Sequence, residues 1–225
     1  MCQQRRVLLG APEADWENAV EFVLSYDGPL RATQREPRQG QPPKHADLKR
    51  AIRAEFHHQL KELWRVNPAL KGEGLMQFTL DDGTELNPTR LKEDLANKHQ
   101  HYGKRFVPLV TEELDLLCSL DILFLRRDRP GGTVYAGDLD NRIKTLIDCL
   151  RIPEAGEGYS DLELGPDYDP FFVLLEEDKL LTKVSIETDR LYRPVTDEDD
   201  NADARLFIKV RIKPYNPNIL NTHLG

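Results

Sequence analysis

The sequence predicts an α/β or α+β domain, a mixed β-sheet of about four or more strands carrying two principal helices. Three observations predict it. Near the C-terminus, Leu180, Thr182, Val184 and Ile186 alternate with Leu181, Lys183, Ser185 and Glu187, and Leu206, Ile208, Val210 and Ile212 alternate with Phe207, Lys209, Arg211 and Lys213. Such alternation is the mark of half-buried strands. Apolar residues recur instead at helical spacing in Leu48, Ile52, Phe56, Leu60 and Leu63, and again in Ile143, Leu146, Ile147 and Leu150. The run Leu120 to Leu125 reads as a core strand.

In chain order, a polar leader gives way to a first strand, Ala19 to Tyr26, closed by a turn at Asp27-Gly28-Pro29. A Pro-, Gln- and Arg-containing loop, Leu30 to Pro43, leads to the helix His45 to Arg65, with Lys49, Arg50 and Arg53 off its buried face. Those bases are either a solvated helix face or a basic rail near a substrate. Residues 67–110 read as an insertion, with a hairpin arm at Leu75 to Leu80 before Asp81-Asp82-Gly83 and a helix opening at Pro88. The core then resumes over 114–213, interrupted by an acidic loop at 152–170. The whole of 1–225 is expected to be one domain, with 15–65 supplying the first strand, loop and helix.

Composition bounds the function classes. Of the 225 residues, 39% are apolar and 31% charged, a globular but polar balance. No apolar run approaches the ~20 residues that span a bilayer. The start, Met1-Cys2-Gln3-Gln4-Arg5-Arg6, lacks the apolar core of a signal peptide, so a soluble cytoplasmic protein with no membrane partner is expected. Cys2, Cys118 and Cys149 are too few and too scattered for a disulfide framework or a CxxC metal site. The histidines, including His57-His58 and His99-Gln100-His101, read as ordinary surface or helix residues, because none stands at zinc spacing.

A net charge of -8 speaks against a plain nucleic-acid-binding module. That average hides segregation. Arg31 to Trp64 holds eight bases against four acids, whereas Glu154 to Asp178 holds nine acids and no base.

Chemistry concentrates in Ala136 to Leu150. Asp138 and Asp140 stand one residue apart, and an extended lead-in would turn both to one side, where they would face one cation; on a helix they would diverge by about 200°. An extended or turning segment capped by Asp140 or Asn141 is therefore expected before the helix. Along that helix Asp140, Lys144 and Asp148 fall at i, i+4 and i+8, which holds an ammonium group one turn beyond the acids. Upstream lie Arg126, Arg127 and Arg129; downstream lies the pair Glu177-Asp178 at the mouth of a strand.

Asp138-Leu139-Asp140-Asn141, then Lys144, then Asp148-Cys149-Leu150, then Glu177-Asp178, resembles the RusA family of Holliday junction resolvases. Motif support covers about Leu117 to Ile186. The resemblance implies a RusA-like fold with insertions and a homodimer that binds a four-way DNA junction and nicks two strands symmetrically. Carboxylates without His or Cys favour Mg²⁺ or Mn²⁺. On this reading Asp138, Asp140 and Asp178 ligate the metal and Lys144 neutralises charge on the phosphate. Asn141, Asp148 and Glu177 orient the ligands, and Arg35, Arg38, Arg126, Arg127 and Arg129 contact phosphates.

The acidic loop, the insertion and the net acidity depart from small members of that family. Two rivals follow: another Mg-dependent phosphohydrolase, and a non-catalytic resolvase-fold interaction protein with its cleft closed by the acidic loop. The haloacid-dehalogenase-like version of the first is disfavoured, since Gly137 precedes the acid pair and Asn141-Arg142 follow it.

Overall fold

A computed structural model describes residues 20–32, 46–72, 78–79, 85–86, 88–127, 136–154, 157, 165–195, 202–218, 221 and 224. The four-stranded sheet follows from three long alternating segments. β1 (Val20–Pro29), β6 (Leu116–Arg126) and β9 (Asp203–Pro214) pair antiparallel, and β8 (Leu181–Arg190) joins β6 in parallel, giving the order β1-β9-β6-β8. On β9, Leu206, Ile208, Val210 and Ile212 are buried as their alternation predicts, and on β6 every second residue from Leu116 to Arg126 is buried.

Between β1 and β6 the chain forms α1 (Ala46–Val66), the short α2 (Pro68–Lys71), the small hairpin β2 (Phe78–Thr79) and β3 (Glu85–Leu86), α3 (Leu91–Lys98), β4 (Gln100–His101) and β5 (Lys104–Val110). β5 pairs in parallel with β7 (Phe171–Leu175) and antiparallel with β4 to make a second, three-stranded sheet. All five residues of β7 are buried, the continuous apolar pattern of a strand covered on both faces. Val107, Leu109, Phe172 and Leu174 join the main core with Ile52, Phe56, Leu60 and Trp64 of α1, while Phe106, Phe171, Val173 and Ile152 form a smaller cluster on the other side. The segment read as an insertion thus supplies a core strand.

Three expectations fail here for physical reasons. The turn at Asp27-Gly28-Pro29 is strand: Gly28 pairs with Ala204 and Pro29 with Asp203. The Tyr26 hydroxyl folds over this end and donates to the Pro29 carbonyl at 2.9 Å, and a side chain at residue 28 would meet that hydroxyl at 2.7 Å. Gly28 serves close approach, not reversal. β8 is not half-buried; Val184 and Ile186 remain 37% and 38% exposed, because β8 is the outer strand. The bases of α1 are not all a solvated face either: Arg53 is 1% exposed, while Arg50 pairs at the surface with Asp47.

Candidate active site

The helix that carries the acid run, α4 (Ala136–Leu150), begins two residues before Asp138. The expected extended lead-in is therefore absent, and neither Asp140 nor Asn141 is a cap: positions 138 and 140 are both helical, about 200° apart around the axis. The side chain of Asp138 lies outside the described residues. Asp140 and Lys144 are both exposed and stand one turn apart. Asn141 is half-buried, and its carbonyl accepts the Thr145 hydroxyl at 3.0 Å.

The far end of the same stripe is spent on structure. Asp148 accepts from Lys49 Nζ at 2.8 Å and from Arg151 at 3.3 Å. Lys49 also reaches Glu157 at 3.0 Å, and the buried Arg53 pairs with Glu157 while donating to the Asp148 carbonyl at 2.9 Å. Burial works against ionisation of Glu157, but Arg53 and Lys49 outweigh it and hold the carboxyl below its usual range. The Lys49 ammonium is likewise held above its usual range: Asp148 and Glu157 overcome the cost of burial. Beside them burial pushes the Cys149 thiol up to about 12, so it is an inert core residue. Lys49 and Arg53, two of the three bases of the alternative basic rail, are thus absorbed into an ion-pair cluster that clamps α1 to the end of α4.

Asp178 stands elsewhere. After α4, Arg151 bridges to Leu175 and the Ile152 amide donates to the Leu175 carbonyl at 3.1 Å, which fastens the helix end to the end of β7. Glu177 and Asp178 follow directly, both exposed, and line a cleft of about 390 Å³ with Arg151, Pro153, His99 and Glu176. Glu177 pairs with Lys179 at 2.8 Å. From Asp140 to Leu150 the helix rises ~15 Å. The topology agrees, since β6 and β8 are parallel neighbours and the α4 segment must carry the chain back to the starting edge of the sheet. Asp140 and Asp178 therefore occupy opposite ends of α4. Ligands of one ion sit ~2.1 Å from it, so the expected convergence on a shared ion is not met within one chain. Among the described residues no group of three or more His, Cys, Asp or Glu side chains is placed to hold a metal.

The arginines also divide. Arg126 is the last inward-facing residue of β6 and only 4% exposed, so it is not a surface phosphate contact. Arg127 is partly exposed and its Nη1 lies 3.4 Å from the carbonyls of Leu191 and Tyr192. Arg35, Arg38 and Arg129 lie outside the described residues.

Sequence reasoning also missed two histidines. His57 is fully buried; its Nδ1 accepts the Phe172 amide at 2.9 Å, so the proton sits on Nε2, 3.2 Å from the Asp167 carbonyl. Its ring stacks on Phe171 and Tyr168 at 4.5 and 5.0 Å, and burial lowers its pKa to about 4. His99, 5% exposed, lines the Asp178 cleft, 3.8 Å from Glu176, and burial lowers its pKa as well. A buried histidine inside an amphipathic helix leaves no local signal. Set against family models, curated proteins and solved structures, the chain matches none of them. Among the described residues, no helix is long and apolar enough to cross a membrane.

Proposed function

We propose that this chain is a metal-dependent, structure-specific endodeoxyribonuclease that hydrolyses phosphodiester bonds in Holliday junctions or related branched DNA. It acts as a homodimer in which Asp138, Asp140 and Lys144 of one copy share a site with Asp178 of the other. One observation carries the reading. Asp140 and Lys144, within the frame Asp-x-Asp-Asn-x-x-Lys, stand exposed on α4, whereas Asp148 on the same stripe is consumed by ion pairs. The length of α4 is what calls for a second copy, and a two-fold dimer repeats the site for a substrate with two-fold symmetry.

The donors named for the shared site, Asp138, Asp140 and Asp178, offer carboxylate oxygens, which suit a hard cation, although His99 also lines the cleft beside Asp178. When bound, Mg²⁺ or Mn²⁺ supplies Lewis acidity and a nucleophilic water. The chain's own residues do the remaining work: Lys144 places a positive charge against the phosphate where negative charge develops, and the rigid helix fixes its distance from Asp140.

The test is a nicking assay on junction, flap, duplex and single-stranded DNA with each metal. Junction nicking that is lost in Asp140→Asn and in Asp178→Asn supports the proposal. An equimolar mixture of those two inactive variants should regain nicking of one strand, because a mixed dimer keeps one intact pair. Cleavage of no substrate sinks the nuclease reading; active wild type without recovery in the mixture sinks the shared site. The separation of the acids within one chain favours a second reading, a non-catalytic DNA-junction or protein-interaction module of the same fold, and that assay decides between them.

A further inference from the structure

β8 is one of the two edge strands of the four-stranded sheet, opposite β1. β8 runs ten residues without proline, and its pairing with β6 is regular from Ser119 to Arg126; among the described residues no strand pairs with its other side. Long, regular, unprotected edges invite a further strand.

The chemistry of that edge says which strand. Across the outer face of the sheet, charges alternate strand by strand: Glu21 of β1 pairs with Arg211 of β9, Arg211 with Asp121 of β6, and Asp121 with Lys183 of β8 at 3.4 Å. The row ends on a cation at the open edge, 62% exposed, and calls for an acid on the next strand. Glu187, on the same face of β8, is exposed too. On the opposite, core-side face, Val184 and Ile186 are left uncovered.

We propose that two copies of this chain join antiparallel through β8, forming one continuous eight-stranded sheet with the two-fold axis at Ser185. A two-fold axis perpendicular to the sheet keeps each face on its own side. In this register Lys183 faces Glu187 of the second copy, Val184 faces its Ile186 and Thr182 faces its Thr188, each pair occurring twice. These three central pairs are of a favourable cross-strand kind and carry the charge row onto the next strand, while Leu181 opposite Asp189 at the margin adds nothing. The interface stands on the chemistry of β8 alone. Its consequence for the acids rests on the nuclease reading: antiparallel pairing carries the start of one β8, just after Asp178, toward the end of the other, where β6 ends and the chain leads on to α4.

The experiment is sedimentation equilibrium on wild type, Lys183→Glu, Glu187→Lys and the doubly exchanged chain, with circular dichroism to verify folding. Wild type should be a dimer. Each single variant sets like charges opposite one another twice and should weaken the dimer about tenfold or more. An equimolar mixture of the two singles restores both Lys-Glu pairs and should dimerise again, as should the double variant. A monomeric wild type overturns the proposal, as does a dimer indifferent to the single changes or a mixture that stays monomeric. None of these outcomes depends on DNA cleavage: a monomeric wild type would also remove the shared site, whereas a dimer indifferent to the single changes overturns the β8 interface alone and leaves the nuclease reading to its own assay.

Discussion

The two ends of α4 carry the same residue types on one stripe and put them to opposite uses. At the C-terminal end Asp148 is 16% exposed and held by Lys49 and Arg151, with Arg53 and Glu157 closing the cluster. Near the N-terminal end Asp140 and Lys144 stand in solvent with the same spacing. The spacing is common to both; what differs is the opposing surface. Where α1 packs against the helix, charge becomes structure, and where nothing described covers it, charge remains available.

The sharpest way to break this contrast is Arg53→Ala. It leaves the carboxylate of Glu157 short of a buried partner and opens a void, and should cost about 3–5 kcal/mol, read as a lower urea midpoint at unchanged slope. Arg53→Met keeps volume while still removing one of the cations on Glu157, which retains Lys49, so it should fall between Ala and wild type. Loss under 1 kcal/mol in the alanine variant would mean that the cluster is ornamental.

Acid sharpens the same point. In the unfolded chain a histidine titrates near 6.5, while His57 in the fold titrates at about 4. Between those values the unfolded chain binds more protons, so stability is full above pH 6.5 and declines as pH falls toward 4. Glu157, lowered in the fold, adds a further loss as pH drops below the ordinary glutamate range. Denaturation midpoints measured from pH 7.5 to 4 should fall, and the slope above pH 5 should flatten in His57→Asn even though that variant starts less stable. An unchanged slope would exclude His57 as its source.

How much of this was legible follows from what a local pattern records. The in-and-out pattern of β9 from Leu206 to Ile212 was readable, because both its period and its burial derive from one covered face, but its start at Asp203 lies inside what reads as an acidic loop. β8 has the same period, yet alternation records sidedness and not coverage, so an outer strand looked like an inner one. Asp27-Gly28-Pro29 carries turn chemistry, but the pairing of β1 with β9 overrides it. Arg53 looked like a solvent-facing base since its partner Glu157 is 104 residues away. The acid pair was read as an extended lead-in because Asp-x-Asp would then face one side; a helix beginning at Ala136 removes that premise and leaves the lysine one turn from Asp140 intact.

The smallest effect on stability is expected at the exposed end. An i,i+4 Asp-Lys pair on a helix surface contributes about 0.2–0.5 kcal/mol. Lys144→Ala should therefore leave the melting curve within the range of ordinary surface substitutions, about 0.5 kcal/mol. On the proposed nuclease reading the same variant should lower junction nicking by roughly 10²-fold or more, through loss of the charge opposing the phosphate. Lys144→Arg should recover part of that activity if charge is what matters. A residue that affects turnover but hardly stability is the reverse of Arg53. If Lys144→Ala proved as destabilising as Arg53→Ala, the two ends of α4 would be doing the same work and the contrast would collapse.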